Sequence, residues 1–358
     1  MLAPEGHSKC IYTTPSGLCP GTSPLHPKEH YLPAGLGNFR NNVNLKNYIC
    51  YDCQNRISQL ETVFLQNGTE AFFRFLTGVK GRKKHRPKNI FAEPTLGLPP
   101  LTVTGTHPDF GLDILWEMSG PGQAVPLRQV VFRKHDGTHV KVPLRSGKMK
   151  TDMDRAGEDW NTWELVFSNV ANADEEEYQL VFGGKTDGMS QVPLQEASGK
   201  ALEGQMRAQI TLPYVRAIAK IAFHFVLAHF HFSGFEPEFD NLKRFIYHGI
   251  GNVPARIVDE PFMLQLVPEN ARLTKWCHFL TAEIADGRFV CRMQFFAGPE
   301  LKPFVWRVDL SPNPSRIVTQ MSMGVAFAYF DKTDKDGYAG LMAELQPGPK
   351  MLVKSQPS

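Results

Sequence analysis

The sequence predicts an α+β protein, and three observations carry that expectation. A helical apolar period begins directly after Cys50-Tyr51-Asp52-Cys53. Residues 91–200 hold alternating apolar runs joined by turn residues. A Pro-led apolar helix near Pro213 is followed by several strand-like runs. With 358 residues, of which 42% are hydrophobic, the chain can bury more than one sizeable core. The expected division is residues 1–90, a β-rich region at 91–200, and an α+β region at 201–358.

Each element has its own signal. Up to Asn47 the chain is rich in Gly, Pro and Asn, which favours loops and short strands. Between Asp52 and Leu76, Ile57, Leu60, Phe64 and Leu65 recur at helical spacing, followed by Phe72 and Phe75. The spacing predicts one helix starting near the second cysteine of the pair and ending before Gly78 and Gly81. In the next region, residues 130–132 and 140–142 flank His135-Asp136-Gly137, a hairpin signal. Residues 163–167 and 178–182 are expected as a second strand pair, with the acidic run 174–177 a solvated turn and 186–199 a polar linker. Further on, Val215, Ile218, Ala219, Ala222, Phe225 and Val226 share one face of the helix opened by Pro213. Residues 239–246 read as a second short helix. Residues 263–267, 279–284, 289–296 and 304–310 read as an antiparallel sheet with Asp286-Gly287 at a hairpin turn.

Composition excludes some classes. A net charge of +3 is too small to select a partner. Six cysteines are present (Cys10, Cys19, Cys50, Cys53, Cys277 and Cys291), four of them within the first 53 residues. Residues 1–9 have no apolar core, so no secretory leader is expected, and a metal site is favoured over a disulfide framework. The longest apolar stretch, 217–232, is interrupted by Lys220, His224, His229 and His231. It is too short and too polar to span a bilayer of about 30 Å. A cytoplasmic protein with no membrane partner is therefore expected. The three histidines read as core or rim residues, and Cys277 and Cys291 as buried free thiols on paired strands.

The N-terminal motifs follow a definite order: Cys10-Ile11-Tyr12, Glu29-His30-Tyr31-Leu32-Pro33, Gly35-Leu36-Gly37, Asn44, Cys50-Tyr51-Asp52-Cys53 and Leu60-Glu61. Over residues 8–90 this order resembles the HNH (ββα-metal) endonuclease family, and in particular a bacterial branch of it. The resemblance implies a zinc-stapled ββα-metal domain that hydrolyses phosphodiester bonds of DNA, the double-stranded form being expected. It implies His30 as general base, and an imidazole titrating near 6.5 suits that role. Glu29 would be a hard oxygen ligand for Mg²⁺ or another divalent cation, which would stabilise charge at the scissile phosphate. Asn44 matches the Asn that orients the loop. The third motif position falls on Gln54 or Asn55, with Asn55 favoured as a ligand, and Glu61 would add a ligand or an outer contact.

Cys50 and Cys53 supply half of a structural zinc site. The family places a second Cys three residues after the first, but that residue here is Thr13. Cys19 is then the nearest partner for Cys10. His7 or His26 as a substitute ligand, and loss of the zinc, are the alternatives. Residues 71–92 carry Arg74, Lys80, Arg82, Lys83, Lys84, Arg86 and Lys88 with no Asp or Glu. Lys80 to Lys88 is expected to lie along a phosphate backbone and release counterions. The competing reading is a non-catalytic, zinc-stapled module that binds nucleic acid. The irregular Cys10/Cys19 half and the missing third His favour it. Both a monomer and a homodimer fit the sequence.

Overall fold

A computed structural model describes residues 7–15, 17–37, 39, 44–79, 102–107, 111–120, 123–170, 174–183, 204–207, 210–230, 232–259, 276–298, 303–311, 324–329, 342–345 and 351–354. The chain is a mixture of helices and antiparallel sheets in two compact units. One unit joins Met1–Lys88 to Gln209–Ser358, and the other is Asn89–Ala208. The first and last segments, which the sequence reading treats separately, thus share one unit and one core. The basic residues Lys80 to Lys88, the linker at 186–199, the run at 263–267 and His231 lie outside the described residues.

The first unit opens with two short strands, β1 (Glu29–His30) and β2 (Asn44–Leu45). They pair antiparallel, with Glu29 opposite Leu45 and His30 opposite Asn44. Helix α1 (Tyr51–Asn67) follows at once, with Cys50 as its N-cap. Ile57, Leu60 and Phe64 form its buried stripe, as their spacing requires. The single helix expected up to Leu76 is in fact two, α1 and α2 (Thr69–Leu76), divided at Gly68. Gly68 adopts an extended conformation (φ −126°, ψ −173°), and a Cβ placed there would lie 1.9 Å from Cε2 of Tyr214. The Tyr214 ring occupies the space that a side chain at 68 would need.

The second unit holds two sheets. Strands β3 (Thr102–Thr106), β4 (Asp113–Gly120), β5 (Gln123–Pro126) and β9 (Gly204–Arg207) form one in the order β5-β4-β3-β9. Strands β6 (Gln129–Arg133), β7 (His139–Pro143) and β8 (Glu164–Asn169) form the other in the order β7-β6-β8. The Asp136-Gly137 hairpin forms as expected, with Gly137 at φ +82°. Helices α3 (Met149–Ala156) and α4 (Glu175–Phe182) pack on Val130, Phe132 and Trp163. Residues 178–182 are therefore helical, not a strand, and the acidic run is the start of that helix. Asp174 is buried and accepts hydrogen bonds from Arg128 and Ser146. Glu177 accepts the Gly147 and Met149 amides at 2.6 and 2.8 Å. Carboxylates at a helix N-terminus are favoured by the helix dipole, so the run that looks like a solvated turn starts α4 and caps α3.

The remaining elements complete the first unit. Helix α5 (Leu212–His229) has Pro213 in its first turn and is buried without a break from Ala217 to Ala228. Helix α6 (Asp240–His248) follows. Strands β10 (Ala255–Val258), β11 (Cys277–Ala285), β12 (Arg288–Ala297), β13 (Val305–Ser311), β14 (Gly324–Tyr329), β15 (Met342–Leu345) and β16 (Met351–Lys354) form an antiparallel sheet in the order β10-β13-β12-β11-β14-β15-β16. Asp286 and Gly287 both have positive φ (54° and 66°), the geometry of a two-residue hairpin turn. Cys277 lies opposite Ala297 and Cys291 opposite Ala282, so the two buried thiols are on paired strands but far apart in register. Helix α5 packs on α1 as well as on β12 and β13. No helix among the described residues is long and apolar enough to cross a membrane.

One buried carboxyl sits at the seam of α2, α5 and β13. Glu70 accepts hydrogen bonds from Thr69 Oγ1 (2.8 Å) and Trp306 Nε1 (3.2 Å), and burial pushes its pKa up to about 7. A carboxyl raised in the folded state favours folding most below its unfolded pKa, and this support is lost as pH rises through the folded value. Replacing Glu70 with Gln should therefore narrow the pH dependence of urea unfolding. Relative to wild type, E70Q should gain on the order of 2 kcal/mol between about pH 5 and pH 8. An unchanged profile would remove Glu70 as its source.

Candidate metal centre

The four N-terminal cysteines meet in space. Cys50 forms an isolated bridge with Leu25 and caps α1, so Cys53 lies in the first helical turn with its thiol toward the same end. Cys10 precedes a 3₁₀ turn (Ile11–Thr13), and the Ile11 amide donates to the Tyr48 carbonyl at 2.9 Å. That bond ties the first cysteine to the segment leading into Cys50. The Cys19 amide donates to the Tyr12 carbonyl at 2.9 Å, which brings the loop back. All four Sγ atoms lie within 4.8 Å of one another, and all four residues are buried.

These thiols fit a metal ion such as zinc. Tetrahedral zinc with Zn–S bonds of about 2.3 Å sets its sulfurs about 3.8 Å apart. The Cys19 and Cys50 sulfurs are already 3.4 Å apart. Four soft ligands fill the coordination shell and leave no position for substrate, which is the donor set of a structural site. The Gly21 amide donates to Cys19 Sγ at 3.3 Å and stabilises a thiolate there. Hydrogen bonding from Cys53 draws Cys10 down to about 6, while burial pushes Cys19 up to about 12. A dication is what allows all four to ionise together. Neither alternative histidine joins the cluster. His7 packs against Tyr48 and Phe235, and His26 packs on Tyr51 while its Nδ1 accepts the Lys28 amide.

The Glu29-His30 segment has different surroundings. Glu29 is buried, and its Oε1 lies 2.8 Å from the Nζ of Lys220, a fully buried residue of α5. The same ammonium donates to the His30 carbonyl at 2.8 Å and to Glu61 Oε1. Three N–H donors thus meet three oxygens on β1 and α1. Burial would lower the Lys220 pKa, but the charges of Glu29 and Glu61 outweigh it and hold the amine protonated. Burial also raises Glu61, with Lys220 opposing and Glu29 reinforcing that shift. One turn beyond Lys220, His224 is held neutral by burial and by the Lys220 charge. Its Nε2 meets the Tyr12 hydroxyl at 3.2 Å, and its Nδ1 is 3.7 Å from Glu29 Oε1.

The other expected site residues separate. His30 is half-buried and faces Asn44 across β1 and β2. Asn55 is exposed, on the side of α1 opposite Cys53, Ile57, Leu60 and Phe64. The half-buried Gln54 shares a helix side with Ser58 and Glu61, so of the two candidates for the third motif position, Gln54 is the one on the Glu61 side. Lys220 and His224 are central here, yet in the sequence Lys220 reads only as an interruption of an apolar helix and His224 as a core or rim histidine. Their spacing of four on that helix is the signal that could have found them. His229 lies near the Tyr31 hydroxyl (3.3 Å), and burial lowers it to about 3. The chain matches no family profile, no curated protein and no solved structure.

Substituting Cys50 or Cys53 by Ser should cut bound zinc from about one per chain to near zero, measured by elemental analysis after dialysis. Zinc should also leave the wild-type protein as pH falls, because each ligand must be deprotonated to bind. Full retention of zinc by C53S would exclude the four-thiol site.

Proposed function

We propose that the N-terminal segment is a zinc-stapled ββα module that holds nucleic acid without cutting it. The observation that carries this reading is the engagement of both Glu29 and Glu61 by the Lys220 ammonium. A catalytic divalent ion needs carboxylate oxygens, and a fixed positive charge between them opposes a second cation. The four-thiol cluster supports a metal that joins loop to helix and leaves chemistry aside. The stretch Lys80, Arg82, Lys83, Lys84, Arg86 and Lys88, without a carboxylate, supports contact with a phosphate backbone.

A second reading has one observation in its favour. The order β1-β2-α1, with His30 opposite Asn44, suits an HNH-type endonuclease that acts on DNA with Mg²⁺ and uses His30 as general base. A plasmid-nicking assay with Mg²⁺, Mn²⁺ or Ni²⁺, run beside gel shifts over a salt series, separates the two. We expect a salt-sensitive shift and no nicking above that of H30A. Replacing Lys83 and Lys84 by Ala should reduce the log–log salt slope by about 2. Nicking that H30A abolishes would establish the second reading, and absence of any shift at low salt would defeat both.

A further inference from the structure

We propose that Lys220 is the resident cation of a buried oxygen-lined site, and that its ammonium excludes a divalent metal ion from the same donor atoms. The donors come from three elements: Glu29 Oε1 and the His30 carbonyl from β1, Glu61 Oε1 from α1, and His224 Nδ1 from α5. The oxygens are hard ligands, and an imidazole nitrogen beside them suits Mn²⁺ as well as Mg²⁺-like ions.

His224 is the independent observation. It is fully buried, and its Nδ1 has no hydrogen-bond partner among the described residues while facing Glu29. His224 Nε2 and the Tyr12 hydroxyl share a hydrogen bond whose direction depends on the tautomer, and in the Nε2–H tautomer Nδ1 presents a lone pair to the cluster. A buried nitrogen in that position is unexplained by the lysine, which shares no hydrogen bond with it, and is suited to a metal ion.

Charge decides which cation the site prefers. Two carboxylates carry −2 when ionised, and the ammonium supplies +1, whereas a divalent ion supplies +2. The ammonium prevails in the wild-type chain because it is tethered: α5 holds it at high effective concentration among its acceptors. Removing it leaves two carboxylates that repel each other in a buried space. The cluster lies nearest to solvent on the α1 side, where the Glu61 side chain keeps 19% exposure while Lys220 has none.

This inference rests on the reading that the wild-type centre carries no divalent ion. Its test reads ion occupancy, whereas the nicking assay reads chemistry, so the two can fail separately. Zinc-loaded full-length wild type, K220A and the double variant K220A/E29Q are titrated with Mn²⁺, and free Mn²⁺ is followed by electron paramagnetic resonance. K220A should bind one Mn²⁺ per chain at least about tenfold more tightly than wild type, a difference of about 1.4 kcal/mol or more. Mn²⁺ should raise the melting temperature of K220A and leave wild type unchanged, and K220A/E29Q should lose both effects. A zinc-retaining K220A that takes up no Mn²⁺ would overturn the proposal. Should K220A fail to retain zinc, the wild-type comparison decides: Mn²⁺ uptake that E29Q abolishes overturns the proposal, and no uptake upholds it.

Discussion

A single buried ammonium organises the larger unit. Lys220 has no solvent exposure, and water is replaced around it by Glu29, Glu61 and the His30 carbonyl. Desolvating a charge costs several kcal/mol, so the lysine is tolerable only because all three donors are satisfied at once. Each acceptor sits on an element that the ammonium thereby fixes: β1 by Glu29 and His30, α1 by Glu61. The bond network and the surrounding core both cross from the N-terminal segment to α5. The carboxylates that would suit a metal-dependent hydrolase are here structural partners of a distant helix: Glu61 lies 159 residues from Lys220 in sequence, and the His30 carbonyl beside Glu29 lies 190 away.

A second buried lysine acts in the same way on the cysteine loop. Lys243 of α6 donates to Thr14 Oγ1 at 3.2 Å and to the Gly234 carbonyl at 3.1 Å, and pairs with Asp240 at 2.9 Å. Thr14 lies within the loop from Cys10 to Cys19, so α6 holds the half of the metal centre that has irregular spacing. Tyr12, in the same loop, reaches His224 and so links the thiol cluster to the Lys220 cluster. The long Cys10–Cys19 spacing is therefore compatible with a compact centre because the loop is anchored by α5 and α6 as well as by its own cysteines.

Local features were legible in the sequence because their causes are local. The start of α1 at the cysteine pair, the Asp-Gly turns at Gly137 and Gly287, and the Pro213 helix all follow from neighbouring residues. The four cysteines were legible as metal ligands, although only the fold decides that Cys19 and not His7 or His26 completes the set. What was hidden depends on distant partners. The break at Gly68 is set by Tyr214, and the helix at Tyr178 and Phe182 by Glu177 reaching the α3 amides. The shared unit was hidden for the same reason, since no local pattern signals that Lys220 will meet Glu29 and Glu61.

The N-terminal segment depends on α5 and α6 for its fold, zinc notwithstanding. The most direct measurement is a proton–nitrogen correlation spectrum of a fragment comprising residues 1–88, loaded with zinc. Collapsed, poorly dispersed amide signals are expected, with dispersion appearing only when residues 209–358 are present. A well-dispersed spectrum from the fragment alone, with Glu29 and His30 in a paired strand, would contradict it.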